Sequence, residues 1–344
     1  MLLRLLHFGG TLLLSLALSL YLTPIILRAA VELGVLDRPD GKLKRHEEPV
    51  PYLGGLAVYL AFLITLCVVF EFHVQLLGLL LGTTMMAMLG LFDDLHVIAP
   101  RLKLVGQLIA TWVLIRSNIS IQLEILPDWL PIPLTVLWLV GITNAVNILD
   151  VSDGLAAGVS AIAALGLFII AVLNGDLLIA TTALALAGSL IGFLRYNQPP
   201  ARIYLGDTGS LFVGFMLAAL AMIGAYTRRN DVGALAPVAI LIVPVLDTTL
   251  VVMARLGRGT SPFAGSADHL AVRLKHRGWS AHEVAWFAYA LSLVGSTGGI
   301  AMVLVDRTVA LVIVGGLALL FGGLLAWFWF RCPAPIPAGR ESNP

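Results

Sequence analysis

Charged side chains are scarce in this sequence. Only 12% of its 344 residues are Asp, Glu, Lys or Arg, and 59% are hydrophobic, whereas a soluble domain carries roughly 25% charged residues. The mean hydropathy is +0.96. This composition excludes an ordinary soluble domain and indicates an all-α polytopic integral membrane protein.

Cysteine and net charge are also low. Cys67 lies in an apolar run and Cys332 near the C-terminus, which indicates neither a disulfide framework nor a thiolate metal site. The net charge of +1 provides no overall field for a polyanion, so we expect no nucleic-acid partner. No internal repeat is visible, so the inverted-repeat signature of many transporters is missing.

Long apolar runs, by contrast, recur along the chain. A spanning helix needs about 20 mostly apolar residues, and we predict about eleven spans in a single domain over residues 1–331, followed by a disordered tail at 332–344. The first run lacks a cleavage site and is predicted to be a retained helix. The predicted spans are 8–30, 52–70, 76–92, 102–117, 132–149, 155–173, 177–194, 209–226, 233–254, 283–305 and 308–330.

Basic residues are distributed unequally between the two sides of this topology. Sixteen of the 21 Lys and Arg residues fall after spans 1, 3, 5, 7 and 9 or in the tail, and five fall on the other side. The positive-inside rule therefore places the tail and the basic loops in the cytoplasm and the N-terminus outside, in an inner (plasma) membrane. The acids that lie on the same predicted side are Asp93, Asp94, Asp150, Asp153, Asp207 and Asp268.

Asp93 and Asp94 follow directly on the apolar run 76–92. A carboxylate near membrane depth is costly and is a functional-site hypothesis by default. Two adjacent like charges also need a cation, a metal or a proton beside them. Ordinary helix capping and pairing with nearby basic residues is the alternative for this motif alone.

Two further stretches place oxygen-bearing side chains at helix ends. Asn144, Asn147 and Asp150 recur on roughly one helix face, and amides with carboxylates are oxygen ligands for Mg²⁺ and partners for a nucleoside. Asp153 then suits the N-cap of the next helix. Asp207 opens another helix between glycines, where backbone N–H groups favour anions and the carboxylate could hold a metal. A simple cap is the alternative.

Two basic loops lie on the same side. Lys44 and His46 belong to the first, and His269 and Arg273 to the last. These residue types suit phosphate groups, and His269 also suits acid/base chemistry. A topology-setting loop and a solvated basic face are the alternatives. For Asp247, which lies well inside a span, a pairing or packing role and a catalytic role stay equally open.

Together, these motifs resemble the bacterial polyprenyl-phosphate N-acetylhexosamine-1-phosphate transferases, including the phospho-N-acetylmuramoyl-pentapeptide translocase. The resemblance covers 37–277 and is most specific at 90–94, 144–158 and 192–214. It implies cytoplasmic active-site loops and a Mg²⁺-dependent reaction, with Mn²⁺ as a substitute. In that reaction, the phosphate of a polyprenyl (undecaprenyl) lipid attacks the β-phosphorus of a UDP-sugar and UMP leaves.

The resemblance also implies roles for individual residues. The catalytic set is Asp93, Asp94, Asp207 and His269, and the metal ligands are Asp207, Asn147 and Asp150. The substrate-binding set, which we complete with residues from the same loops, is Lys44, His46, Asn144, Asn147, Asp150, Asp153, Asn197 and Arg273. We further expect the membrane as a partner and a homodimer.

The last loop departs from the family pattern. Ala271 and Val272 stand where the family often has two histidines, and Ser266 stands where it often has an aspartate. This favours N-acetylglucosamine over the peptidoglycan precursor but leaves the sugar open. A transporter of an anionic solute and a catalytically dead scaffold are the competing interpretations. A transporter would want charges along a mid-depth pore, which only Asp247 approaches, and a scaffold would be expected to lose an essential acid.

Overall fold

The structure, a computed structural model, describes residues 2–37, 49–70, 74–122, 127–261 and 268–332. They form a helical bundle with one antiparallel ladder, in which Leu36 pairs with Pro51. All but the first residue of the predicted tail lies outside the described residues. The elements in chain order are α1 (Leu2–Glu32), β1 (Leu36–Asp37), β2 (Val50–Pro51), α2 (Gly54–Val69), α3 (Val74–Leu95), α4 (Pro100–Arg116), α5 (Pro131–Leu149), α6 (Leu155–Asn174), α7 (Leu177–Asn197), α8 (Gly206–Ile223), a 3₁₀ helix (Asp231–Leu235), α9 (Ala236–Ile240), α10 (Ile242–Gly257), α11 (Leu270–His276), α12 (Ala281–Leu304) and α13 (Arg307–Arg331).

Within the described ranges, eight helices are individually long and apolar enough to cross a membrane. This confirms the all-α polytopic fold. The predicted spans 52–70 and 102–117 correspond to helices shorter than the roughly 20 residues that cross a bilayer, because α2 has 16 residues and α4 has 17. The predicted span 233–254 is not one helix, because the segment formed by the 3₁₀ helix and α9 meets α10 at a bend of 73°.

Two of the short connections have the sequence features of tight turns between helices. Gly175, at φ +74°, ends α6 in the left-handed region that glycine tolerates best. Asp176 then begins α7 by accepting a hydrogen bond from the Ile179 N–H at 3.0 Å. Asp306 caps α13 in the same way. These caps end one helix and begin the next within a few residues, so the connections between α6 and α7 and between α12 and α13 are short.

The centre of the bundle is α8, whose residues 208–221 are all buried. It packs against α3, α5 and α2. At the periphery lies α13, of whose 25 residues only Ala310 and Phe328 are buried. A helix that is apolar all round can lie in a core or face lipid as a membrane span, and α8 and α13 occupy these two positions. The first turn of α8 is enclosed by α3, α5 and α2, and polar residues gather there.

Glycine at position 90 allows α3 to approach the first turn of α8 closely. A side chain at Gly90 of α3 would overlap the backbone of Asp207 and Thr208, whereas one at Gly141 of α5 would meet nothing within 4 Å. We expect Gly90→Ala to lower the free energy of unfolding by about 1–3 kcal/mol, because overpacking forces the helices apart. Gly141→Ala, the matched control, should leave it unchanged or slightly raised.

Thermal unfolding in detergent measures both variants. A Gly90→Ala protein as stable as the Gly141→Ala protein would contradict the close contact between α3 and α8.

Candidate active site

Polar side chains from separate parts of the sequence meet at one end of the bundle. The C-terminal ends of α3 and α5 and the N-terminal ends of α4 and α8 converge there through direct side-chain contacts. The predicted site residues brought together are Asp93, Asp94, Asn147, Asp150 and Asp207.

Asp94 caps the first turn of α8 from a different helix. Its Oδ1 accepts a hydrogen bond from the Asp207 N–H at 2.8 Å, and its Oδ2 accepts from the Thr208 N–H at 2.9 Å and the Thr208 hydroxyl at 2.6 Å. We expected these N–H groups to face a substrate anion. That expectation is wrong for these two donors, because a protein carboxylate already occupies them.

Lys103 lies between the other two acids of the cluster. Its Nζ donates to Asp207 Oδ2 at 2.7 Å and forms an ion pair with Asp93. Asp93 also accepts a hydrogen bond from the Ile98 N–H at 2.8 Å, which fixes its orientation. The Asp207 side chain is 30% exposed, against 18% for Lys103 and 9% for Asp93. Asp207 is therefore the carboxylate of this trio that a ligand reaches most easily.

The two predicted asparagines have different partners. Asn147 Nδ2 donates to Asp207 Oδ1 at 2.7 Å and to the Ser210 hydroxyl at 2.8 Å. Asn144 forms a reciprocal amide pair with buried Gln107, with N···O distances of 2.8 and 3.2 Å. Asn147 thus orients Asp207, whereas Asn144 joins α5 to α4 one turn deeper in the bundle.

Asp150 ends α5 and faces the same cluster. Burial, followed by the neighbouring carboxylates of Asp207, Asp94 and Asp153, raises its pKa to about 8. The Gly206 N–H donates to the Asp150 carboxylate and opposes this shift. Burial is thus the main reason that the pKa of Asp150 is raised, and the neighbouring carboxylates add to it.

The loop after α5 is tied to the loop before α8. Asp153 Oδ2 accepts a hydrogen bond from the Ala201 N–H at 3.0 Å. Gly154, and not Asp153, occupies the N-cap position before α6, so the predicted Asp153 cap is wrong. Asn197 is buried; its Oδ1 accepts from the Gly154 N–H at 3.1 Å and its Nδ2 donates to the Ile203 carbonyl at 2.9 Å. With both amide atoms bonded to backbone, Asn197 braces the loops instead of facing a ligand, so its predicted substrate contact is not what the structure shows.

The predicted residues of the last loop belong to a second polar cluster. Arg273 is buried; its Nε donates to the Asp268 carbonyl at 2.8 Å and its Nη1 to the Cys332 carbonyl at 3.0 Å. Arg273 therefore holds α11 against the end of α13, and its predicted substrate role stays a prediction. His269 contacts Asp247. The predicted residues Lys44 and His46 lie outside the described residues.

Lys103, Thr208, Ser210 and Gln107 are contact residues that the predicted sets omitted. Their spacing along α4 and α8 is the sequence feature that indicates them. Lys103 and Gln107 lie four residues apart on one face of α4, and Ser210 lies three residues after Asp207. Lys103 and Gln107 contact the predicted residues Asp207 and Asn144 from α4. Thr208 and Ser210 lie near Asp207 on α8 and contact Asp94 and Asn147.

The chemistry of the cluster suits a hard cation. Asp93 and Asp207 lie within hydrogen-bonding distance of each other. Asp150 is close enough to Asp207 for the Asp207 charge to raise the Asp150 pKa. Within the described ranges, no group of three or more His, Cys, Asp or Glu side chains is arranged to hold a metal ion by itself. Mg²⁺ commonly uses one or two carboxylates and completes its shell with water and substrate phosphates. The residues present fit that mode of binding.

Comparison with known proteins places this site in a family. Residues 76–225 match the family described as "Glycosyl transferase family 4". A probable undecaprenyl-phosphate N-acetylglucosaminyl 1-phosphate transferase of Bacillus subtilis is 32% identical, over 84% of this chain and 83% of that protein. The chain belongs to glycosyl transferase family 4. It is therefore a multi-pass membrane transferase.

Two other relatives of this family 4 transferase are named for different substrates. A decaprenyl-phosphate N-acetylglucosaminephosphotransferase of Mycobacterium leprae is 33% identical over 71% of each chain. A phospho-N-acetylmuramoyl-pentapeptide-transferase of Halalkalibacterium halodurans is 31% identical over 80% of this chain and 90% of that protein. The segment matched by the family model contains the cluster around Asp207 and ends before Asp247 and His269.

The raised pKa of Asp150 predicts a pH-dependent stability. Because its folded-state pKa lies near 8, above the ordinary 3.8, the folded protein holds a proton that the unfolded chain releases. The contribution of Asp150 to stability therefore falls as the pH rises from about 5 to about 9. In chelator-treated protein, the melting temperature of the wild type should fall relative to that of Asp150→Asn over this range.

Asp128→Asn, which removes an exposed carboxylate elsewhere, is the matched control and should track the wild type. If the difference between wild type and Asp150→Asn stays constant with pH, Asp150 does not titrate in this range.

Proposed function

We propose that this protein transfers a sugar 1-phosphate from a UDP-sugar to a polyprenyl phosphate and releases UMP. The observation that carries the proposal is the position of Lys103 between Asp93 and Asp207 at the end of a membrane-spanning bundle. A charged site at a membrane surface suits a reaction between a water-soluble nucleotide and a lipid phosphate. The names of the relatives, which combine a polyprenyl phosphate with N-acetylglucosamine phosphate transfer, support the same chemistry.

The proposed step is a phosphoryl transfer. An oxygen of the lipid phosphate forms a bond to the β-phosphorus of the UDP-sugar. The bond from that phosphorus to the bridging oxygen breaks, and the oxygen leaves on UMP. The products are UMP and a lipid-linked diphosphate sugar. Such a reaction needs positioning and charge neutralisation more than covalent chemistry from the protein.

The residues of the cluster divide these tasks. Lys103 supplies positive charge beside the position where phosphates would collect, and Asn147 orients Asp207. Asp94 is engaged by α8, which leaves Asp93 as the member of the pair that faces the site. Mg²⁺, or Mn²⁺ in its place, would be held by Asp207 with Asp150 and would neutralise charge on the diphosphate.

For the sugar, we propose N-acetylglucosamine and, for the lipid, undecaprenyl phosphate. The similar proteins from Bacillus subtilis and Mycobacterium leprae are named for N-acetylglucosamine. Ala271 and Val272, where a histidine run would suit the muramoyl-pentapeptide substrate, point the same way. The muramoyl-pentapeptide is the second candidate, because a relative named for it is 31% identical over 80% of this chain.

The reaction can be tested directly. Purified protein with Mg²⁺, undecaprenyl phosphate and UDP-N-acetylglucosamine should release UMP, and Asp207→Asn should slow release by about 100-fold or more, because it removes the most accessible carboxylate. Asp128→Asn is the matched control. A panel of UDP-sugars, including the muramoyl-pentapeptide donor, identifies the sugar. No UMP from any donor, with an active relative assayed alongside, would contradict the function.

We also propose that the site faces the cytoplasm, with the N-terminus outside and the protein in the plasma membrane; a homodimer stays a prediction. After replacement of both Cys67 and Cys332 by Ala, a single cysteine at exposed His276 should react with an impermeant reagent only when the cytoplasmic face is open. A cysteine at Asp128 should react from outside. The reverse pattern of labelling would invert the topology.

A further inference from the structure

A buried carboxylate in the second polar cluster holds two consecutive residues of the last loop. Asp247 of α10 is fully buried, and its Oδ2 lies 3.1 Å from His269 Nδ1. Its Oδ1 accepts a hydrogen bond from the Leu270 N–H at 2.6 Å. We propose that Asp247 is a positioning residue that fixes the tautomer and orientation of His269, so that Nε2 is the ring nitrogen presented to substrate phosphates. This proposal rests on the proposed function.

The two contacts constrain the ring more than either would alone. The bond to the Leu270 N–H fixes the backbone where α11 begins, immediately after His269. The contact to Nδ1 then fixes the rotation of the ring on that backbone. One rigid carboxylate thus sets both the place of the imidazole and the direction of its free nitrogen.

The tautomer follows from the donor and acceptor roles. A carboxylate is an acceptor, so Nδ1 must carry a proton to face Asp247 favourably. The ring nitrogen that is protonated is set by the hydrogen bond that the other one makes. With Nδ1–H directed at Asp247, Nε2 is left for a ligand, whether the ring is neutral or charged. The arrangement matches the way a buried aspartate orients a catalytic histidine in other enzymes.

The charge of Asp247 also acts on two arginines, Arg255 and Arg273, which both interact with Asp268 and Arg258 as well. Asp268 is itself paired with Arg258 and lies 3.7 Å from Arg273, so the second acid of the cluster has its own partners. Replacing a whole buried ion pair by apolar side chains is often neutral, whereas removing one partner of a pair is strongly destabilising. The pairing with an imidazole gives Asp247 a role that an apolar residue lacks.

The tautomer can be measured without any substrate, which separates this proposal from the proposed function. In full-length protein labelled with ¹⁵N-histidine, the His269 signals are those lost in His269→Gln. We expect Nδ1 to be protonated in the wild type. In Asp247→Asn, the amide N–H would donate to Nδ1, so the proton should move to Nε2. A wild-type ring with its proton on Nε2 alone, or one unchanged by Asp247→Asn, would overturn the proposal. The wild-type spectrum suffices if the variant does not fold.

Kinetics provide a second readout. Asp247→Asn should lower kcat by about 10–100-fold, whereas the double variant with His269→Gln should be no slower than His269→Gln alone, because Asp247 acts through that ring. Thr248→Val is the matched control; its buried hydroxyl has no hydrogen bond within the described ranges, and it should keep wild-type rate and melting temperature. Independent, multiplicative losses from Asp247→Asn and His269→Gln would show a purely structural role and refute the proposal.

Discussion

Three hydrogen bonds from the first turn of α8 to the Asp94 carboxylate hold the centre of this protein together. Each bond to a charged group contributes about 1.5–3 kcal/mol, and α8 has no side-chain cap of its own at Leu205. The carboxylate therefore completes α8 and joins it to α3. Loss of this contact would leave a buried charge and two backbone donors without partners, and Asp207 would lose its place beside Lys103.

The charge balance of the cluster follows from that arrangement. Asp94 fixes the start of α8, and so brings Asp207 close to Asp93 and within electrostatic reach of Asp150. Lys103 is the cation in contact with Asp93 and Asp207, and it offsets only part of their charge. Burial, together with the charges of the neighbouring carboxylates, raises the pKa of Asp150. A site that repels further negative charge unless a cation enters is suited to binding phosphates together with a metal ion.

The sequence predicted the acids of this cluster better than their partners. A carboxylate at the end of an apolar run stands out in a hydropathy profile, because its cost in the membrane depends only on the residues next to it in sequence. The profile does not show that Asp94 would cap α8, because that contact joins residues 113 positions apart. Asn197 and Arg273 were predicted to bind substrate because they are polar residues in the site loops. In the structure Asn197 bonds to backbone atoms, and Arg273 bonds to backbone carbonyls and lies 3.7 Å from Asp268, contacts that no residue pattern reveals.

For the helices, too, the sequence predicted the local features and missed those that depend on tertiary packing. Apolar length predicted most of the spans, including α8, although α8 begins three residues earlier than expected. The break between α9 and α10 was missed because both pieces are apolar and read as one run. Gly295 and Gly299 of α12 allow that helix to approach the carbonyls of Ala239 and Ala236 beside the break. The bend is thus a matter of tertiary packing, to which hydropathy is insensitive.

The two polar clusters have different physical characters. The first has excess negative charge and an accessible Asp207, which suits the binding of a metal ion and diphosphate. The second is buried and internally paired, and it holds α11 between α10 and α13. Tyr289 of α12 donates to the Gly154 carbonyl at 2.7 Å. Burial lowers the pKa of Lys275 on α11, and the nearby charge of Asp153 opposes that shift. These contacts couple the clusters, because a shift of α11 or α12 must alter the loop that carries Asp150.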